Sequence, residues 1–160
     1  MIIMNRENVT PIGRIKHILT ELPFFEEFTD AELDYFTSHL SLRYFPADTV
    51  LFQKDDIGDY LFFIVEGKVE VRLEAVNLRP IIIATFERGC CVGEMSMVDE
   101  FSRSATVVVK IPSELLLLTR TRFDSVCQQN PLVGLKFLRN LARDLSIRLR
   151  KTTGRFADLA

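Results

Sequence analysis

The run Lys68-Val69-Glu70-Val71-Arg72-Leu73-Glu74 alternates charged and apolar residues without a fault. A period of two puts Val69, Val71 and Leu73 on one face of an extended strand and the four charges on the other, so the segment reads as a strand half in a core and half in water. Alternation sets in after Tyr44 and lasts about seventy residues. Within it lie the runs Thr49 to Gln53, Tyr60 to Glu66, Pro80 to Phe86, Ser104 to Ile111 and Glu114 to Thr119. Gly67, the cluster Asp55-Asp56-Ile57-Gly58-Asp59, Glu87-Arg88-Gly89 and Ile111-Pro112-Ser113 punctuate them as turns. Many short antiparallel strands at this spacing imply a barrel or jelly roll, which also removes exposed sheet edges.

Helical periodicity flanks this middle. Ile12, Ile15, Ile18 and Leu22 recur at three or four, with Thr10-Pro11 as cap and first-turn proline, and predict a helix ended by Pro23. Thr29-Asp30-Ala31-Glu32 is a capping box ahead of Leu33, Phe36 and Leu40. After the roll, Thr121-x-x-Asp124 predicts a cap, and a long helix follows Asn130-Pro131. In it Leu138, Leu141, Leu145 and Leu149, with Leu135 and Ala142 beside them, form an apolar seam flanked by Arg139, Arg143 and Arg148. That seam has two uses, packing on its own roll or pairing with a second copy. The plan is one domain: helices over 1–43, β-roll over 44–120, helices and tail over 121–160.

Composition bounds what such a chain does. Its 160 residues are 48% apolar with 7 Gly and 6 Pro, enough for one buried core. Twenty Lys and Arg against 22 Asp and Glu leave −2, so no whole-protein basic field exists to hold nucleic acid. Between Lys136 and Arg155 seven cations face Asp144 alone, a local +6 that leaves −8 elsewhere. Basic residues near a helix C-terminus offset its dipole, which is the plain reading of that tail. The longest nearly uncharged run, Ser113 to Thr119, is broken by Glu114 and is far shorter than the roughly 20 residues a membrane span needs. Residues Met1 to Thr10 hold no signal-like apolar stretch, and the chain reads as cytoplasmic. Cys90, Cys91 and Cys127 form no C-x-x-C pattern and read as reduced, mostly buried thiols. Only His17 and His39 exist, both in the N-terminal helices, so a two-His-one-carboxylate metal site inside the roll cannot be assembled. No nucleophile elbow is present either, and the chain reads as neither a metalloenzyme nor a hydrolase.

One stretch fits neither strand nor helix: Gly89-Cys90-Cys91-Val92-Gly93-Glu94-Met95-Ser96-Met97-Val98-Asp99-Glu100-Phe101-Ser102-Arg103-Ser104-Ala105-Thr106. Glycine permits close backbone approach, a following helical turn offers free N–H groups to an anion, and an arginine nine residues after Glu94 closes over the same point. A guanidinium matches a phosphate through two parallel hydrogen bonds, while a carboxylate accepts from a sugar hydroxyl and repels phosphate. Glu94 and Arg103 thus read as the two ends of one site, for a ribose and a phosphate, with the amides near Met95 and Ser96 sharing the charge.

Gly93, Glu94, Arg103, Ser104, Ala105 and Val107 sit at a spacing that resembles the phosphate-binding cassette of the cyclic-nucleotide-binding domain family. Tyr60-Leu61-Phe62-Phe63-Ile64-Val65-Glu66-Gly67-Lys68-Val69-Glu70-Val71 resembles that family's strand, glycine, strand signature, and the similarity runs from about Phe24 through the last helix. The resemblance implies a mainly β fold with flanking helices: a double-stranded β-helix, an eight-stranded jelly-roll-like β-roll, holding cAMP or cGMP. It implies that Glu94 accepts from the ribose 2′-hydroxyl, that Arg103 pairs with the cyclic phosphate beside the amides of Met95 and Ser96, and that Ser104 touches phosphate or base. A threonine at the Ser104 position favours guanine in the family, so Ser104 points to cAMP. Ser102, Asp48 and Ser96 depart from the family's usual proline, glycine and small apolar residue, and none removes a ligand-binding group. Relatives with this last helix pair through it, which tilts the seam toward a homodimer. Relatives that bind DNA add a helix-turn-helix, whereas about ten residues follow Arg150 here, so direct DNA recognition is not expected. The expected function is a cyclic nucleotide sensor acting on a downstream protein the sequence leaves unnamed; the competing reading is a ligand-free roll used for protein contacts.

Overall fold

The computed structural model describes residues 12–74 and 79–159; the expected Thr10-Pro11 cap lies outside them. Helix α1 covers Ile12–Glu21, a 3₁₀ turn Pro23–Phe25 follows, and α2 covers Asp30–Thr37. The capping box at α2 closes both ways, Thr29 Oγ1 accepting from Glu32 N at 3.2 Å and Glu32 Oε2 from Thr29 N at 2.8 Å. Six strands follow: β1 Ser41–Phe45, β2 Val50–Phe52, β3 Tyr60–Glu74, β4 Pro80–Glu87, β5 Cys91–Val92 and β6 Thr106–Thr119, with the short helix α3, Glu94–Asp99, between the last two. Helices α4, Arg120–Gln129, and α5, Pro131–Ala157, close the chain. All pairings are antiparallel, in the order β1-β6-β3-β4, with β2 also on β6 and β5 on β3.

Two expected breaks are creases instead. Gly67 and Pro112-Ser113 lie inside β3 and β6, where the register slips between Glu66 and Lys68. Gly67 has φ +107°, and a Cβ there would stand 2.7 Å from Ser113 Cα, so only glycine lets the two strands cross at the crease. Proline is tolerated opposite it because a bulge needs no ladder N–H. Each long strand thereby serves both layers of the roll, and counted as two segments apiece they account for the eight strands of the expected fold. Strands β1 and β5 were not legible: β1 begins ahead of the alternation, with only Leu42 and Phe45 half-buried, and β5 is two residues long.

The core is split by β3. Phe62 and Ile64 point into the roll with Val69, Val92, Val107, Val109 and Leu115, while Leu61 and Phe63 face the helices. Burial on both faces explains why Leu61 to Val65 is a continuous apolar run. On the helical side Phe137 of α5 packs among Phe24, Phe25, Phe36, Phe63 and Phe123. Arg14 Nη2 donates to both carboxylate oxygens of the buried Glu114, each at 2.7 Å, and pins α1 to the crease of β6.

The helix caps and seam differ from expectation. Thr119, still extended at φ −78° and ψ 154°, caps α4 by accepting from Arg122 N, and Thr121 lies inside the first turn. Strand β6 carries straight to the cap, so no loop intervenes to place it at Thr121. Asn130 caps α5 ahead of Pro131, as the spacing predicts. Helix α5 packs through Val133, Phe137, Asn140 and Leu141, so only Leu141 of the leucine seam is buried. Leu135, Leu138, Ala142 and Leu149 remain exposed.

Candidate functional site

Strand β5 pairs with Phe62 and Phe63, and Gly93 then turns the chain into α3 with φ +86°. A Cβ on Gly93 would stand 2.8 Å from Arg103 Nη1 and 3.1 Å from the Tyr60 carbonyl, so the turn needs glycine for both its φ and its room. Helix α3 buries Glu94, Ser96 and Met97 and exposes Met95. The chain returns through Glu100, also left-handed at φ +60°, and Arg103 zips onto the turn cluster. Arg103 N donates to Asp56 O at 2.8 Å, and Asp55 N donates to Arg103 O at 2.9 Å.

Arg103 is 2% exposed, a cation taken almost wholly out of water. Its Nη1 donates to Gly93 O at 3.1 Å and its Nη2 to Tyr60 O at 2.6 Å. The guanidinium carbon lies 3.8 Å from the centre of the Phe52 ring and 4.9 Å from that of Tyr60. Its Nε is buried without a hydrogen-bond partner, and no carboxylate among the described residues forms a salt bridge with it. Burial pulls its pKa below the ordinary guanidinium value. Among the described residues, its charge is met only by carbonyls and ring faces.

Glu94 is 6% exposed and does have a charged partner. Arg148, reaching across from α5, donates from Nη1 to Glu94 Oε1 at 2.7 Å and from Nη2 to the Cys91 carbonyl, with its guanidinium 4.7 Å from the centre of the Phe86 ring. Arg120, the first residue of α4, donates to the carbonyls of Gly58, at 2.8 Å, and Ser96. Helices α4 and α5 thus each reach the α3 segment through an arginine.

The seven residues singled out from the sequence converge on this one cassette. Gly93, Glu94, Met95 and Ser96 form the turn and first turn of α3, Arg103 closes behind them, and Ser104 Oγ lies 4.0 Å from Met95 Sδ. Ser104 is exposed and Ala105 is buried at the mouth of β6. Sequence reasoning missed Phe52, Tyr60, Arg120 and Arg148. Arg148 had been grouped with the basic tail, and nothing in its spacing marks it as a neighbour of Glu94. Elsewhere the chemistry is thin. Burial pushes the Cys91 thiol well above its ordinary value, far from a reactive thiolate. A cleft of about 430 Å³ beside α1 is lined by Glu21 and Glu26 among apolar residues and would repel a phosphate. No helix among the described residues is long and apolar enough to cross a membrane.

Residues 42–130 match the family described as the cyclic nucleotide-binding domain. Among solved structures, a cyclic nucleotide-binding domain from Methylobacillus flagellatus KT is 30% identical, covering 93% of this chain and 84% of its own, with a TM-score of 0.81. The catabolite activator protein of Thermus thermophilus is 31% identical at a TM-score of 0.72, over 86% of this chain and 62% of that one. Among curated proteins, the cyclic AMP receptor protein of Thermus thermophilus is 32% identical over 129 residues, 81% of this chain. The CRP regulator of Salmonella typhimurium, described as cAMP-activated, is 27% identical over 124 residues, 77% of this chain. The chain spans 58% and 59% of those two proteins' lengths.

Proposed function

This chain belongs to the cyclic nucleotide-binding domain family, and from that premise we propose that it is a regulatory sensor of a 3′,5′-cyclic purine nucleotide rather than an enzyme. The observation that carries the reading is Arg103, buried with an unpartnered Nε and with no anionic partner among the described residues. The cyclic phosphate supplies that anion, flanked by the amides of Met95 and Ser96 and by Ser104, while Gly93 and Ala105 keep the approach open. The ribose 2′-hydroxyl donates to Glu94, whose Oε2 makes no hydrogen bond among the described residues. On the sequence, Ser104 ranks cAMP ahead of cGMP. The protein works in the cytoplasm on a partner protein.

Output passes through the helices because they grip the same residues as the ligand. Arg148 holds Glu94 and Arg120 holds the carbonyl of Ser96, so ribose and phosphate each bear on a contact made by α5 or α4. A ligand moves these helices only by preferring one arrangement, and a hundredfold preference supplies about 2.7 kcal/mol.

Isothermal titration with cAMP and with cGMP tests the reading. Saturable binding supports it; no heat with either nucleotide, in folded protein free of co-purified ligand, replaces it with a roll used for protein contacts. Glu94→Gln is expected to weaken the natural ligand about tenfold and a 2′-deoxy analogue less, since a neutral amide is a poorer acceptor for the hydroxyl. Equal losses for both ligands would contradict the ribose role.

The exposed seam of α5 is read as a homodimer contact. Leu135, Leu138, Ala142, Leu145, Leu149, Thr152 and Phe156 follow the alternating three and four spacing of a coiled coil, with Leu149 67% and Phe156 70% exposed. In a parallel pair the flanking positions Arg148 and Thr153 meet without like charge. Leu138→Asp with Leu149→Asp is expected to turn a dimer into a monomer in sedimentation velocity, at unchanged helical content. A wild-type chain that sediments as a monomer at tens of micromolar, roughly the range of a weak specific contact, would overturn the contact.

A further inference from the structure

We infer that a second copy of this chain docks the projecting end of its α5 on the outer face of α3, so that copies associate head to tail through a contact separate from the leucine seam. Helix α3 buries Glu94, Ser96 and Met97 and leaves Met95 and Val98 exposed. Phe101, 74% exposed, follows them, and Ile57, 88% exposed, stands on the turn that packs against Ser96 through Gly58. Four large apolar side chains left in water on one short helix and the turn beside it mark a contact surface. Its rim holds Asp55, Asp56, Asp59, Asp99 and Glu100, all exposed, against Lys54 and Arg120. Glu100 reaches Arg120 at 3.5 Å, and the other four carboxylates form no salt bridge among the described residues. An occupant that fits this face is apolar and cationic, and the carboxylates repel a nucleic acid or an anionic membrane.

The chain carries such a segment. From Leu149 to Leu159 every residue is exposed, so the last turns of α5 stand clear of the roll. They hold Arg150, Lys151 and Arg155 against Asp158 alone, and these cations form no salt bridge among the described residues, whereas Lys136, Arg143 and Arg148 earlier in the helix pair with Glu32, Glu27 and Glu94. At 3.6 residues per turn Arg150, Lys151 and Arg155 lie off the side that carries Leu149, Thr152 and Phe156, so they stay available when the seam pairs. Ile147, one turn before Lys151, and Leu159, one turn after Arg155, are exposed and supply the apolar contact. Helix α5 is unbroken to Ala157 and its end covers nothing in its own chain, so the contact lies between copies. One face meets a different face, and association of that kind continues from copy to copy instead of closing at two.

Sedimentation velocity over a concentration series up to about 100 µM, inside the range of weak specific binding, tests the contact. At about 0.01 M salt, where charges act over about 30 Å, the wild type is expected to keep growing past the dimer; at about 1 M, where that reach falls to about 3 Å, growth is expected to stop. Arg150→Glu with Lys151→Glu is expected to weaken the low-salt association about tenfold or more. Asp59→Lys with Glu100→Lys is expected to do the same from the other side. The first pair sits on a helix end clear of the roll, so it reads the contact even if the second pair disturbs the cassette. Mixing the two reversed proteins offers each a complementary surface on the other, and growth is expected to return to the wild-type level. A wild type that stops at the dimer in low salt, growth that survives both reversals, or a mixture of folded variants that fails to associate overturns the contact. None of these outcomes bears on the nucleotide reading, which titration decides separately.

Discussion

Arg103→Ala is expected to weaken cyclic nucleotide binding by about 2 to 5 kcal/mol, that is, roughly thirtyfold to several thousandfold. The size follows from burial. At 2% exposure the guanidinium meets a phosphate with little water between them, and truncation leaves the ligand's charge facing the rings of Phe52 and Tyr60. Arg103→Lys is expected to recover only part of the loss, because an ammonium is a point charge and cannot form the two parallel bonds of the planar group. The truncation also removes the donors to Gly93 O and Tyr60 O, so the measurement pairs titration with a melting curve. Undiminished affinity in a folded Arg103→Ala protein would reject the phosphate site.

The largest effect on stability is expected from Phe137→Ala, about 3 to 5 kcal/mol in urea unfolding. Phe137 is fully buried, and its ring lies 5.0 Å from Phe24, 5.2 Å from both Phe36 and Phe123, and within 6.3 Å of Phe25 and Phe63. Those rings come from the 3₁₀ turn, α2, β3 and α4, so the cavity opens where every layer of the helical core meets. Because the neighbours are rigid aromatics held by one another, the space cannot collapse, and the cavity cost adds to the lost burial. Leu132→Ala, on the same helix but 74% exposed and outside the leucine seam, is expected to cost about 0.5 kcal/mol or less. Comparable losses at the two positions would show that α5 is not docked through the Phe137 face.

Much of the architecture was legible because its signals are local. Alternation at Lys68 to Glu74 marks a strand, and the box at Thr29 to Glu32 marks a helix start, each within a few residues, although Glu70, expected in water, is 4% exposed and paired with Arg72 and Lys110. The cassette's spacing was legible for the same reason, since Gly93, Glu94, Met95, Ser96, Arg103, Ser104 and Ala105 lie within thirteen residues, whereas Phe52, Tyr60, Arg120 and Arg148 reach it from outside that span. Gly67 shows where locality stops. As a letter it signals a turn, but Ser113 crosses over it, and the strand passes through as a crease. Pro112 misleads in the same way, since a proline ends a strand unless a bulge has already removed the ladder bond at that point.

The side-chain period of two, the helical period, the capping residues and the glycine-glutamate-arginine cassette were determined by the chain itself, because each depends on backbone geometry over a span of a dozen residues or so. The tertiary structure alone decided which face of α5 lies on the roll. Its helical repeat offers both the Phe137 face and the leucine face, and the aromatic cluster of the helical core takes the first. The tertiary structure alone also decided that Arg148, 54 residues from Glu94, meets its carboxylate. That contact exists because the core docks α5 at one angle and one register, which is set by packing summed over many distant side chains and is encoded by no spacing between the two residues.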